Sequence, residues 1–175
     1  MNADPAVMEH FVEPLDRARS DALLDRIGAM WDERGWGPWA LERLDTGELA
    51  GLTGLAPATF EAPFTPAVEV GWRLARQHWG HGFASEAAGE ALRVASDELG
   101  LDEVVSFTAV GNTRSRAVME RIGLVHDPAG DFDHPSVPPG HRLRRHVLYR
   151  TGARSRLAEP RQDGPRQDER AAPAG

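Results

Sequence analysis

The stretch Val68-Glu69-Val70-Gly71-Trp72-Arg73-Leu74-Ala75-Arg76-Gln77-His78-Trp79-Gly80-His81-Gly82-Phe83-Ala84 decides the fold. Val68, Val70 and Trp72 alternate with Glu69, Gly71 and Arg73, the period-two pattern of a strand. Gly80-His81-Gly82 makes a turn, after which Ala84, Ala88, Ala91, Leu92, Ala95 and Leu99 recur with helical spacing and stop at Gly100. A strand that runs through glycines into a helix leaves the first helical amides unpaired, at the positive end of the dipole. Glycines also let a ligand approach the backbone closely. The stretch therefore predicts a pyrophosphate cradle built from the amides of about Gly80 to Ser85. A tight strand–helix turn with no ligand is the competing interpretation.

Working outward, residues 104–110 form a β-branched and aromatic run, hence a strand. Asn112 or Thr113 caps a short helix with Val118, Met119 and Ile122 on one face and Gly123 as its stop. Residues 143–150 supply a final strand. On the N-terminal side, Asp4-Pro5 signals a helix start. A longer helix runs from Asp16 towards Arg34, with Leu23, Ile27, Met30 and Trp31 as its apolar stripe. Residues 39–44 and 49–55 flank Asp45-Thr46-Gly47-Glu48 as a β-hairpin. The order is helix, hairpin, strand, helix, strand, helix, strand. It predicts an α/β (α+β) fold whose sheet has strand–helix–strand at its middle. Residues 1–150 read as one domain. Residues 151–175 have Leu157 as their only large aliphatic and no aromatic, and read as a disordered Pro/Arg/Asp-rich tail.

Composition narrows the chemistry. All 20 basic residues are arginine, and there is no cysteine. A Walker-type loop, a Schiff-base enzyme, a thiolate nucleophile and a thiolate metal site are therefore excluded. The lysine-free, Ala/Arg/Gly-rich vocabulary suggests a GC-rich bacterial genome. A net charge of −7 argues against nucleic acid as a partner. No apolar run approaches a membrane span, and the N-terminus lacks signal-peptide regions. The expectation is a cytoplasmic protein.

Two cofactor types compete for the cradle. A dinucleotide fold wants a third glycine where Ser85 stands and an acid at the end of the next strand, whereas Asp102 and Glu103 precede it. Coenzyme A fits better. Gln77-His78-Trp79-Gly80-His81-Gly82 resembles Q/R-x-x-G-x-G/A, the pyrophosphate signature of the Gcn5-related N-acetyltransferases (GNAT). The flanks Glu69-Val70-Gly71-Trp72-Arg73-Leu74 and Ala84-Ser85-Glu86-Ala87 resemble the branch that acetylates N-termini of ribosomal proteins. So does Asn112-x-x-Ser115-x-x-Val118-Met119-Glu120-Arg121-Ile122-Gly123-Leu124, and so do the loop 131–135 and the strand 145–149. The likeness covers nearly all of residues 1–150.

The resemblance implies a mixed sheet flanked by helices, with a splayed strand pair that admits pantetheine. Backbone groups of Trp72, Arg73 and Leu74 would hold the pantetheine arm. Gln77 and the amides of Gly80, His81, Gly82, Phe83, Ala84 and Ser85 would hold the pyrophosphate. Asn112 matches the asparagine that touches pantetheine or an ordered water, and Ser115 sits where relatives place the hydroxyl that protonates the leaving thiolate. Arg76, Arg114 and Arg116 are either CoA-phosphate contacts or solvated helix arginines. It also implies acetyl-CoA as co-substrate, an amine acceptor and a homodimer.

The chemistry needs a neutral amine, an oxyanion donor and a route for a proton. Glu69 is the candidate base, directly or through water, with an exposed strand residue as its competing interpretation. Glu86 either lines the acceptor site or only favours the helix N-terminus. His134, His141 and His146 with Asp131 and Asp133 match no compact metal pattern, so no metal is expected. The tryptophans are expected in the core. Members of the branch usually begin with a strand about twenty residues ahead of Asn2; either the start codon is placed late or the first strand is missing, which would leave an open sheet edge. The sequence points to an acetyl-CoA-dependent N-acetyltransferase acting on a protein N-terminus or a small-molecule amine. The alternative is a non-catalytic acyl-CoA-binding module on the same fold.

Overall fold

A computed structural model describes residues 1–152, so the expected tail lies almost wholly outside the described residues. One mixed sheet carries the molecule. Its strands are β1 (Pro38–Glu42), β2 (Leu49–Pro57), β3 (Val68–Leu74), β4 (Val105–Ala109), β5 (Leu124–His126), β6 (Phe132–Asp133) and β7 (Arg145–Thr151). They run in the order β1-β2-β3-β4-β7-β5, with β6 also on β7. Three α-helices accompany them: α1 (Arg17–Arg34), α2 (Phe83–Asp97) and α3 (Thr113–Arg121). The anticipated architecture is present. Two short strands, β5 and β6, were not anticipated, because two or three residues are too few to show alternation.

Helix α2 follows its pattern. Ala88, Ala91 and Ala95 are buried against Leu55 and Val70 of the sheet, and Met119 and Tyr149 complete this main core. Small side chains on α2 let the helix sit close to the strands. Trp36, Trp39 and Trp72 pack partly buried on the same core. The opposite face of the sheet buries Phe64, Val105, Phe132 and Leu148, with Phe60 and Phe107 packed against them. Each such large apolar side chain contributes about 1.5–3 kcal/mol of burial.

Two N-terminal expectations are corrected. Residues after Asp4-Pro5 form successive turns and no helix: Met8 N–H donates to Asp4 C=O and Phe11 N–H to Met8 C=O. Leu15 N–H donates to Asn2 C=O, which folds the segment back on itself before a helix can propagate. Helix α1 is capped by the Asp16 carboxylate on Arg19 N–H and stopped by Gly35, as its sequence suggests, but none of its residues is buried. Its stripe is half-buried at Leu23, Ile27 and Met30, while Trp31 is exposed. Trp31 Nε1 donates to Pro38 C=O at the start of the hairpin.

The functional consequence lies at the sheet's middle. β3 pairs with β2 along its full length but with β4 only at Glu69 opposite Val105. Beyond that point the two parallel strands diverge.

Candidate active site

Beyond Glu69 the backbone of β3 loses its neighbour on one side. Val70 C=O accepts from the Ser106 hydroxyl of β4 at 2.9 Å, so the even-numbered groups of β3 face the gap. Leu74 C=O, on that same side, accepts from Trp79 Nε1 at 3.0 Å. The N–H and C=O of Trp72 and the N–H of Leu74 therefore face an open cleft, a sheet edge inside the molecule. An unpaired edge of this kind binds an extended chain that carries amides.

The glycine turn continues the cleft. Gly80 and Gly82 have φ of 79° and 86°, the left-handed region, and a Cβ at either would meet nothing within 4 Å. Gly82 caps α2 with no side-chain hydrogen bond. The amides of Ser85 and Glu86 are taken by Gly82 C=O. Among the described residues those of Gly80 to Ala84 have no partner outside the sheet and helix ladders. Ser85 thus faces the cleft with its hydroxyl, which accepts from Arg121 Nη1 at 3.0 Å. Gln77 and His81 are exposed and are not part of the cleft wall. His81 stacks on Phe83 instead.

Asn112 caps α3, its carbonyl oxygen accepting from Ser115 N–H. Its amide nitrogen donates to Thr108 Oγ1 at 2.9 Å and to Ser115 Oγ at 3.0 Å. Ser115 Oγ is thereby fixed as an acceptor, and its own proton remains free to point into the cleft.

These pieces line one cleft of about 1040 Å³ that passes from the α2 side of the sheet to the opposite face. There Glu69, Gly71 and Arg73 form the floor beside Phe107 and His146, with His10 and Phe11 of the N-terminal segment above. Glu69 has no hydrogen-bond or ion-pair partner among the described residues, and burial raises its carboxyl to about 7. Burial lowers the imidazoles of His10 and His134, and holds His146 at about 4. This half of the site is neutral apart from Glu69 and Arg73.

Several expected contacts are not brought together. Glu86 is exposed and outside the cleft wall, because it lies on the outer side of the first turn of α2. Arg76 is exposed and Arg116 engages Tyr149 Oη and Val110 C=O. Arg114 does reach the cleft, with its guanidinium 4.8 Å from the Trp79 ring centre. Of the five grouped His and Asp residues only His134 and His146 meet, with ring centres 4.9 Å apart: Asp131 binds His126 and Leu148 N–H, while Asp133 pairs with Arg144. No group of three His, Asp or Glu residues able to hold a metal occurs among the described residues. Sequence reasoning missed Trp79, Ser106, Arg121 and buried His78, as well as the N-terminal wall. Trp79 stood in the decisive stretch, whereas no spacing links Ser106 or Phe11 to it.

The description "Acetyltransferase (GNAT) domain" belongs to the family model that matches residues 1–125. The chain belongs to the GNAT family. It is 40% identical over 110 residues to FsC-acetyl coenzyme A-N(2)-transacetylase of Aspergillus fumigatus, a match covering 61% of this chain and 46% of that protein. The chain thus spans about half the length of that relative. It is 32% identical over 126 residues to protein YkkB of Bacillus subtilis, covering 69% of each. An acetyltransferase structure from Agrobacterium tumefaciens is 30% identical with a TM-score of 0.64, over 85% of this chain and 78% of that one. Spermidine N-acetyltransferase of Vibrio cholerae, solved with CoA and spermine, shares the fold at 21% identity and a TM-score of 0.65, over 85% and 83% of the two chains.

GNAT enzymes take their acetyl group from acetyl-CoA, and the residues here fit that co-substrate. The free amides of the glycine turn suit a pyrophosphate, and the open edge at Trp72 and Leu74 suits the amides of pantetheine. No helix among the described residues is long and apolar enough to cross a membrane.

Proposed function

We propose that this GNAT protein is a cytoplasmic bacterial N-acetyltransferase that moves an acetyl group from acetyl-CoA to a primary amine by direct attack on the thioester. We place it with the branch that acetylates ribosomal-protein N-termini, on the strength of the motifs around Glu69 and Asn112. Its acceptor is a small-molecule amine or a protein N-terminus, and a homodimer belongs to the same proposal. The single observation that carries it is the continuity of the cleft. The amide cradle at Gly80 to Ala84, the open backbone at Trp72 and Leu74, and the Glu69 carboxyl follow one another along β3 and its turn.

Each residue has a task. The amides of Gly80 to Ala84, with Arg114 and Arg121 nearby, hold the phosphates. The edge groups of Trp72 and Leu74 align the pantetheine and offer an N–H to the carbonyl oxygen where charge develops. Glu69, with a carboxyl near 7, accepts the proton that the amine must lose. The Ser115 hydroxyl, oriented by Asn112, donates at the departing sulfur. Holding both reactants in one cleft supplies much of the acceleration.

Titration with acetyl-CoA, followed by measurement of free CoA release with a panel of amines, tests the proposal. Micromolar binding and release dependent on one class of amine are expected. Binding without turnover on any amine would leave only an acyl-CoA-binding module, and absence of binding would remove both.

A further inference from the structure

Arg73 is out of place as a structural arginine. It projects from β3 on the face opposite α2, next to the acceptor half of the cleft. Its Nη1 donates to the neutral side-chain oxygen of Asn2 at 3.0 Å, and its guanidinium lies 4.2 Å from the Phe11 ring centre. Its Nε is buried without a partner. No carboxylate pairs with it among the described residues. A guanidinium keeps its charge even where burial lowers its pKa, so an enclosed cation here stands without a counter-ion.

Of the other two arginines of the cleft, Arg114 lies over Trp79 and pairs with Glu9 at 3.7 Å, and Arg121 donates to the Ser85 hydroxyl at the turn. Arg73 projects from the face of β3 opposite α2, away from that turn. On its own face, Gly71 alone separates it from Glu69, and no Cβ intervenes across roughly 13 Å of strand. Among the described residues Glu69 is the only carboxylate of the cleft wall, against three arginines, so a polyamine would find little to neutralise it. Phe107, Val137 and Leu143 add an apolar wall on the same side.

We propose that the Arg73 guanidinium binds a carboxylate of the acceptor, so that the amine acetylated is that of a free amino acid, its apolar side chain lying against Phe107, Val137 and Leu143. This rests on the acetyltransferase function above. The acceptor's carboxylate then sits at Arg73 with its amine towards Glu69, which takes the proton through water, because an α-amino acid is too short to span directly the roughly 13 Å between the two strand positions.

The test uses alanine, leucine and phenylalanine, each beside its carboxamide and its decarboxylated amine, with CoA release at saturating acetyl-CoA. The expected result is a kcat/KM at least tenfold higher for the carboxylate member of a set. Arg73→Gln brings that ratio to about one, whereas Asn2→Ala, which removes the Arg73 contact to the N-terminal segment together with the Asn2–Ser20 hydrogen bond, keeps it. Equal rates for carboxylates and carboxamides in the unaltered protein would overturn the proposal. So would an equal loss of the ratio in Asn2→Ala, which would make Arg73 a clamp. A raised KM for acetyl-CoA in Arg73→Gln with the ratio intact would assign Arg73 to the co-substrate. Calorimetry of N-acetylphenylalanine and its carboxamide on the protein–CoA complex reads the same preference without turnover, and equal or absent binding counts against it. Failure of the acetyltransferase function looks different: no amine of any kind releases CoA.

Discussion

Glu69 lies opposite Val105, and that pair is the one point of register between the parallel strands β3 and β4. The same residue that ends the ladder presents an unpaired carboxyl to the cleft, so the catalytic candidate sits where the sheet opens. Separation of the strands leaves backbone of β3 open and joins the two faces of the sheet.

Replacement of that carboxyl is expected to be costly. Glu69→Gln should lower kcat/KM by on the order of 100-fold, the usual scale for a lost general base. The wild-type rate should rise with pH through about 7, as Glu69 ionises, and the variant should lose that inflection. A pH–rate profile of both proteins decides it. An inflection retained in the variant would assign the proton to water or to the amine itself.

Ser115 and Asn112 should act as a pair. Ser115→Ala is expected to lower kcat by about 10- to 100-fold with a small change in the KM for acetyl-CoA. Asn112→Ala should reproduce that loss and also cost about 1 kcal/mol of stability, since the same side chain caps α3. Steady-state kinetics with urea unfolding separate the two effects. A Ser115→Ala variant at full rate would sink the proton-donor role.

Gly82 tests the cradle. Its φ of 86° makes any side chain there strained by about 1 kcal/mol or more, although a Cβ has open space. Gly82→Ala and Gly82→Asp should therefore lose similar stability. Only Gly82→Asp should abolish acetyl-CoA binding, because it places a carboxylate against the pyrophosphate. Calorimetric titration of both variants checks this, and equal affinities would refute the assignment.

Stability should depend on pH in two opposite ways. Glu69 has a folded pKa near 7 against an ordinary 4.5, so the folded state holds more protons between those values and loses stability as pH rises through them. Glu69→Gln should thus gain about 2 kcal/mol on wild type between pH 5 and pH 8. His146 is held at about 4 against 6.5, so the unfolded state binds more protons in that window and stability falls as pH drops from 6.5 towards 4. His146→Phe should flatten that acid limb. Thermal melts across pH 4–8 read both, and parallel curves for wild type and Glu69→Gln would contradict the buried carboxyl.

Much of this was legible in the chain alone. Local rules suffice for the period-two run before Gly80, the alanine stripe of α2, the Asn112 cap and the glycine turn, because each depends on neighbours a few residues apart. The motif order then carried the family, and with it Glu69, Asn112 and Ser115 as candidates. The sequence could not place what depends on long-range contact. Only the tertiary structure separates Gln77, His81 and Glu86 from the cleft while bringing in Ser106, Trp79 and Arg121. It alone lays the N-terminal segment across β3, setting Asn2 and Phe11 against Arg73. The half-buried state of Glu69 and Arg73, neither with an opposite charge beside it among the described residues, is decided by whatever packs around them. Burial sets their electrostatics, and burial is a property of the assembled fold, not of residue order.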